Sequence, residues 1–561
     1  MKLDDLAPHD RSDKLGVITH GSLNEGVEMK LRSDASIEDV EQGTFAVIQG
    51  KQFDFFSMVT DVEIDAANEE ILLHPPGDGD DLLREVLRGS GTYATVSLQP
   101  QLMMPNEEHQ ELSEDEPRSV KTIPAHFADV ARATEDDVSR VFGHASHEDG
   151  KTYFHVGDPR GMEGIPVHLN LEKFVERSNA IFGKTGTGKS FLARLLLCGA
   201  IKTGKAVSLI FDMHSEYGWS TTSEEGHNVR GLKKLFPSKV SVFSLDPEQT
   251  RSNTEGISAD FPVHLYADQI EPADILPLRD TLNLTDTAAE STFLLRRTYK
   301  KKWLQRLLDA DQEELEEMAD TCGAHLKSVE ALKRKLAPFL GYDFFHTSSS
   351  SNKKDVLDDL IETLSRGNSI VFEFGRYDDL KVYLFVANVI TRRLRIRYME
   401  LKKKSEHGEA EEPTPLIITI EEAHKFLTPD IAHETSFGKI AREMRKYNVS
   451  LLVVDQRPSS IDDEVLSQIG TKMVAQLNDD KDIAAALVGT SGASGLRSVL
   501  ASLDAKQQAL LLGHAVPMPI VIKSRTYDQK FYEAIGAGGG ADGEVRDWNS
   551  PQIQSKLDEF G

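Results

Sequence analysis

The chain has only two cysteines, Cys198 and Cys322, in 561 residues. Two thiols are too few for a disulfide framework or a cysteine metal site, so a reducing compartment suits the sequence and a cytoplasmic location is expected. It has no apolar run near the ~18 residues of a membrane span. Its opening, MKLDDLAPHD, carries no hydrophobic segment of a secretory signal. Secretion and membrane insertion are therefore not expected. Positive charge is also scarce: 64 Lys and Arg against 91 Asp and Glu leave a net −27. Such a surface repels phosphate, which excludes a protein that coats nucleic acid with its whole exterior. Nucleic acid held in a small, locally basic channel stays open. The sequence shows no internal repeat and no metal-spaced carboxylate cluster of the nuclease kind.

What is present is globular in composition, with 39% hydrophobic and 28% charged residues, and long enough for several domains. Residues 1–104 hold short, partly alternating apolar segments such as GVEMKLR, GTFAVIQG and YATVSLQPQLMM, separated by Gly, Asn and Asp. This spacing predicts a small N-terminal β-barrel or sandwich. Residues 105–170 read as an acidic connector, either a partner-docking surface or merely solubilising. From 171 to 280 and again from 366 to 530, β-branched runs alternate with helical stretches: NAIF, VSLIFD, VSVFSL, SIVFEF, PLIITI and VSLLVVD. Runs without strict alternation suit strands covered on both faces, hence a parallel sheet flanked by helices. Residues 281–365 predict a helical insertion, and 531–561 a Gly-rich extended tail.

Gly183-Lys184-Thr185-Gly186-Thr187-Gly188-Lys189-Ser190 follows one of those strands and opens a helical stretch that begins with Phe191. This is the context in which G-x-x-x-x-G-K-[ST] makes a phosphate cradle. Glycines let backbone N–H groups close around phosphate oxygens, the helix start adds its positive end, Lys189 reaches the outer phosphates and Ser190 binds Mg²⁺. Residues 183–191 are thus expected to bind ATP.

The strand PLIITI ends in Glu421-Glu422. Hydrolysis needs one carboxylate near the metal and one group to polarise water, roles assigned to Glu421 and Glu422 respectively. Taken alone, the pair would equally be two solvated acids at a helix start. Gln456, at the end of the next strand, is placed to sense the γ-phosphate or hold the water, or else to satisfy its own loop.

Together these residues resemble the HerA branch of the HerA/FtsK superfamily of ring-forming DNA translocases. The resemblance rests on IFGKTGTGKS, IFDMHSEYG, IEEAHKFL, IAREMRKYNVSLLVVDQRPSSID and GHAVPMPIVIKSR, which occur in the family's order. It implies an α/β fold: a RecA-like P-loop ATPase domain with a helical insertion, behind a small β-barrel. It implies ATP and Mg²⁺ as cofactors, with Lys189, Glu422 and Gln456 in catalysis and Ser190 and Glu421 on the metal. Asp212, His214 and Glu216 match the family's D-x-H-x-E-Y segment near the phosphate, the alternative being a capped turn with a buried His. Arg442 and Arg445 match the helix that projects an arginine finger into a neighbouring site, the alternative being a solvated helix face. Departures are Glu421 for a common Asp, Met213 and Ser215 for Pro and Gly, and Met444 for Gly.

The implied activity is that of a hexameric ATP-driven translocase or helicase with double-stranded DNA in its central channel and a NurA-like partner nuclease. Two other settings are an antiphage complex, in which the ring serves an effector nuclease or NAD-consuming subunit, and a non-translocating assembly platform. Candidate DNA contacts are the basic clusters Arg296–Lys302, Lys353-Lys354 and Arg392–Lys404.

Overall fold

The computed structural model describes residues 13–536, except 107–116, 144–151, 223–227, 349–354, positions 255, 434 and 491, and most of 68–91. Parts of the acidic connector, Lys353-Lys354 and most of the expected tail lie outside the described residues.

The N-terminal sheet contains β1 (Lys14–Ser22), β2 (Gly26–Leu31), β3 (Phe45–Gln49), β4 (Phe53–Ala66), β5 (Thr92–Pro105), β6 (Arg118–Ser119) and β7 (Asp129–Arg132). Its order is β2-β1-β7-β3-β4-β5-β6, and β2 also pairs with β5, which closes six of the strands into a barrel. The alternation in β2, buried at Val27, Met29 and Leu31 and exposed at Glu28 and Lys30, points apolar side chains inward. Ile18, Met29, Ile48, Val96, Leu98 and Val130 fill the interior.

Beyond the capped helix α1 (Glu135–Phe142), the chain enters a twelve-stranded sheet. Its strands are β8 (Tyr153–Pro159), β9 (Val167–Asn170), β10 (Ser178–Phe182), β11 (Val207–Asp212), β12 (Val240–Ser244), β13 (Phe261–Pro262), β14 (Ser369–Glu373), β15 (Leu416–Glu421), β16 (Val449–Asp455), β17 (Ile469–Val474), β18 (Gln508–Gly513) and β19 (Ile520–Ser524). The order is β13-β12-β14-β11-β15-β16-β10-β17-β18-β19-β8-β9. From β13 to β17 the pairings are parallel, and from β17 to β9 they are antiparallel. Every residue of β10, β11, β15 and β16 is buried, as expected of strands sandwiched between helices.

The connector expected at 105–170 is divided between the two sheets. Val130 and Ala131 of β7 pair with β1 and β3 and complete the barrel, whereas β8 and β9 extend the second sheet. The acidic composition around these short strands hides them because none of the three is long enough to show a period.

Helix α2 (Lys189–Thr203) follows the phosphate loop and is buried continuously from Leu192 to Ile201. It presses so closely on β8 that a Cβ at Gly199 would meet the Phe154 ring at 2.9 Å, so glycine is required there. The insertion comprises α3 (Asp286–Tyr299), α4 (Trp303–Asp309), α5 (Gln312–Cys322), α6 (Leu326–Leu336) and α7 (Val356–Ser365). Its Trp303, Leu307 and Leu332 belong to the same apolar cluster as Phe211 and Phe372 of the sheet, so it has no separate core. The long helix α8 (Leu380–Glu406) leads to β15, and α9 (Ser436–Glu443) precedes β16. Two further helices, α10 (Asp480–Ala486) and α11 (Ala493–Ala501), connect β17 to β18.

Helix α11 lies on β4: Ser498 Oγ donates to the Thr60 carbonyl at 3.2 Å, and a Cβ at Gly495 would meet Thr60 Cγ2 at 2.8 Å. The outward face of the barrel (Phe45, Val47, Phe56, Leu102, Met104) shares a cluster with Phe142, Phe154 and Leu196. Helix α12 (Gln529–Ala534) starts before residue 531 and packs Phe531 and Tyr532 into that cluster, so the first residues of the expected tail are helical and buried. Among the described residues no helix is long and apolar enough to cross a membrane.

Candidate nucleotide site

The parallel strands deliver their carboxyl ends to one edge of the sheet, where open α/β sheets bind ligands. Along that edge, in spatial order, stand Glu373 (β14), Asp212 (β11), Glu421 and Glu422 (β15), Asp455 and Gln456 (β16) and the loop 183–188 after β10. Residues far apart in sequence thus converge because adjacent strands end in register: Asp212 pairs with Glu373, and Phe182 with Asp455.

In the loop, Gly186 and Gly188 have φ of 79° and 87°, which side chains rarely adopt. Thr187 Oγ1 and Lys189 Nζ both donate to the Lys184 carbonyl, at 2.8 and 3.0 Å. Burial pushes the Lys189 ammonium down, while Glu422, Asp455, Glu421 and Glu216 oppose the shift. Thr185 Oγ1 donates to Gln456 Oε1 at 2.5 Å, and Gln456 Nε2 donates to Glu422 Oε1 at 2.9 Å. The loop, the end of β16 and the end of β15 are therefore joined through one amide. Glu422 holds the left-handed conformation at φ 49°, ψ 45°, a backbone choice that costs a non-glycine residue about 1–3 kcal/mol and concentrates at functional sites. Ser190 and Phe191 occupy the first turn of α2, and the Phe191 ring meets Tyr527 edge-on at 6.2 Å.

Asp212 is fully buried and its two oxygens accept the backbone N–H groups of Glu216 and Tyr217 at 2.9 and 2.8 Å. It caps a turn. That turn throws His214 outward, so it is exposed rather than buried, and aims Tyr217 inward. Tyr217 Oη donates to Glu421 Oε1 at 2.8 Å, and Arg194 from α2 donates to the Glu216 carbonyl at 2.6 Å. Burial, followed by the Asp212 charge, raises the Glu421 carboxyl to about 7. Ser190 and Glu421 are hard oxygen donors of the type that Mg²⁺ takes. Among the described residues no group of three or more His, Cys, Asp or Glu is arranged to hold a metal, so these two would need oxygens from the nucleotide to complete a shell.

Sequence reasoning missed Tyr217, Arg194, His424, Asp455 and Glu373. Tyr217 and His424 had a signal, as the last letter of D-x-H-x-E-Y and the histidine of IEEAHKFL. Arg442 and Arg445 are not brought to this edge: they precede β16, whose seven residues put about 20 Å between its ends. Arg442 donates to the Ala432 carbonyl at 3.3 Å and lies 3.8 Å from Glu464, whereas Arg445 is exposed.

Glu373 is likewise raised to about 7, by burial and then by the Asp212 charge, while the hydrogen bond from Thr250 Oγ1 (2.7 Å) and the Trp219 side chain pull it back. An unfolded glutamate titrates near ~4.3. Between that pH and about 7 the folded state retains a proton that the unfolded state has lost, so stability falls as pH rises through this window. Glu373→Gln is expected to raise Tm at pH 8 and to flatten this fall, by on the order of 1–3 kcal/mol at pH 8. Melting curves of both proteins from pH 5 to 8 check it; parallel curves would contradict it.

Residues 154–394 match the family described as Helicase HerA, central domain. The DNA double-strand break repair helicase HerA of Pyrococcus furiosus is 23% identical over 447 residues, 75% of this chain and 77% of that one. The protein of the same description from Sulfolobus acidocaldarius is 28% identical over 424 residues, 71% of this chain and 76% of that one. Among solved structures, VirB4 of Thermoanaerobacter pseudethanolicus is 16% identical and aligns with a TM-score of 0.44, covering 68% of this chain and 98% of that one.

Proposed function

We propose that this chain, which is similar to HerA helicases over 71–75% of its length and matches their central-domain family over residues 154–394, is a hexameric, ATP-driven translocase of double-stranded DNA that works with a partner nuclease in DNA-end processing. The observation that carries the motor half is the Thr185–Gln456–Glu422 bridge, which ties the phosphate loop to the carboxylate that orients water. ATP binds across loop 183–188 and the first turn of α2, with Lys189 on its outer phosphates. Mg²⁺, held by Ser190 and Glu421, supplies neutralisation of phosphate charge; a row of buried, mutually repelling carboxyls fits such a cation. Glu422 faces the water, Gln456 fixes the Glu422 carboxylate, and Asp212 with Tyr217 fixes Glu421. Arg445 is too far from its own phosphate loop and exposed, as a residue offered to a neighbouring subunit must be; Arg442 braces the turn behind it.

The DNA half rests on which cations are free. Arg296 is engaged with both oxygens of Glu271 (2.7 and 2.8 Å), and Arg392 with both of Asp274 (2.7 Å each). Arg393 pairs with Asp355 and Asp358, Arg397 with Glu400 and Lys402 with Glu412. These five residues tie the insertion and α8 to their surroundings and are poor candidates for phosphate; Lys403 and Lys404, in the last turn of α8, are exposed and form no ion pair among the described residues. At the turn between α3 and α4, Arg297, Lys300, Lys301 and Lys302 are likewise exposed and form no ion pair among the described residues. Lys300 sits at φ 53°, ψ −136°, a strained choice at the junction between α3 and the short turn that carries the three lysines. This turn is the duplex-phosphate contact, which carries affinity without reading sequence. Changing Lys300, Lys301 and Lys302 together to Ala is expected to weaken duplex binding at least ~10-fold and to make its salt dependence shallower by up to ~0.9 per lost contact. Fluorescence anisotropy across a salt series checks this; an unchanged slope sinks the assignment, and a parent protein that binds no duplex sinks the DNA reading altogether.

A further inference from the structure

Glu422 has two carboxylate oxygens, and the Gln456 amide accounts for one of them. The other lies 3.6 Å from Nε2 of His424, two residues along the chain. That imidazole is anchored from behind. Its Nδ1 is 3.0 Å from Asp455 Oδ2, and its own backbone N–H donates to the same oxygen at 2.7 Å. Asp455 is fully buried at the end of β16, next to Gln456, and its second oxygen accepts the Arg457 N–H at 2.7 Å. An ionised carboxylate only accepts, so Nδ1 is the donor and Nε2 is the atom turned toward Glu422. The backbone N–H alone would cap this turn, so the ring is not needed for the cap. The side chain is 29% exposed, neither packed into the core nor free in solvent.

We propose that His424 is a positioning residue for Glu422: anchored by Asp455, it holds the second carboxylate oxygen and, with Gln456 on the first, fixes the plane in which Glu422 meets the attacking water. Asp455-Gln456 thus supplies both restraints from one strand end, the amide directly and the carboxylate through the ring. A distance of 3.6 Å is ion-pair range rather than a hydrogen bond, and contacts of this kind tighten when substrate is bound. Burial pushes Asp455 up, but the His424 side chain and the two backbone N–H groups outweigh it and hold it below the usual carboxylate range. The hydrogen bond to Asp455 raises His424. Both directions accord with a charged anchor. The inference rests on the reading of Glu422 as the water-orienting group.

The test is a double-mutant cycle on ATP turnover in the full-length protein. Asn at 424 can imitate the Nδ1 donor but does not reach Glu422, whereas the Gln amide reaches the place of Nε2. His424→Asn is expected to lower kcat about 10–100-fold with affinity for a slowly hydrolysed ATP analogue kept within about threefold, and His424→Gln to recover part of that loss. In a Glu422→Gln background, His424→Asn should slow turnover no further, because it acts through the carboxylate already removed. Turnover of His424→Asn within twofold of the parent, or losses that multiply in the double variant, would overturn the proposal. If Glu422→Gln is itself as active as the parent, the reading of Glu422 falls and the relay falls with it. Should His424→Asn fail to fold by thermal melting, His424→Gln is measured in both backgrounds: a loss that disappears with Glu422→Gln supports the relay, and parent-like turnover or a multiplied loss refutes it.

Discussion

Lys189→Ala is expected to abolish nucleotide binding and to reduce turnover by on the order of 10³ or more. Its ammonium is half-buried at the start of α2 and faces Glu422, Asp455, Glu421 and Glu216. Without it, a polyphosphate would enter an edge lined by carboxylates with no ammonium at the start of α2 to offset them. Repulsion in that setting is not screened as it is at an exposed surface. In the free protein Lys189 donates to the Lys184 carbonyl, a bond that the first phosphate must exchange for its own. The substitution also removes that tether, but a single part-buried hydrogen bond is worth only about 1 kcal/mol, so loss of affinity should not be accompanied by a large loss of fold stability. Titration with a fluorescent ATP analogue, phosphate release and a melting curve together decide the case. Turnover at the parent rate would remove the phosphate-site assignment.

Glu422→Gln separates binding from chemistry. The amide keeps the shape of the carboxylate and leaves Lys189, Ser190 and Glu421 in place, so ATP affinity should stay within a few-fold while turnover drops by about 10²–10⁴. Neutralising one member of a crowded acidic row should, if anything, tighten nucleotide binding. A fall in affinity as large as the fall in rate would show that Glu422 serves binding and not water. The same variant reports on Arg445. In mixed assemblies, subunits with Glu422→Gln still offer a finger, and subunits with Arg445→Ala still offer a base. Interfaces that combine two intact half-sites should regain activity over either variant alone. A loss that merely averages the two would place Arg445 outside the reaction.

The sheet was legible in the sequence wherever both faces of a strand are covered. VSLIFD and VSLLVVD coincide with β11 and β16, because burial on two sides leaves an uninterrupted β-branched run that polar flanks cannot disguise. β7, β8 and β9 were not legible: four to seven residues beside acidic stretches show no period, and membership of one sheet or the other is decided by pairing. The phosphate loop was legible because its chemistry is contiguous. The buried partners were not. Tyr217 on Glu421, and His424 between Asp455 and Glu422, are contacts between ends of different strands, and strand order in space is not written in chain order. The basic runs misled in the opposite direction. In sequence, Arg392 and Lys302 look alike; only the fold shows that the first closes on a buried Asp274 while the second meets water.

The shared apolar surface between the barrel and the large sheet bears on how the protein can be dissected. Its two sheets invite the view of a detachable module followed by an engine, and a truncation starting near Tyr153 would be the natural way to test what the module does. Such a truncation would strip Phe45, Val47, Phe56, Leu102, Met104 and Phe142 from the cluster containing Phe154 and Leu196, and Met58 from the cluster containing Phe211. It would leave Gly495 and Ser498 facing solvent where Thr60 had been. The shortened chain would carry a sticky face of aromatic and aliphatic side chains, and its behaviour would report on aggregation before it reported on the missing part. Modularity here has to be probed by changes on the barrel's outer surface, with its seam left intact.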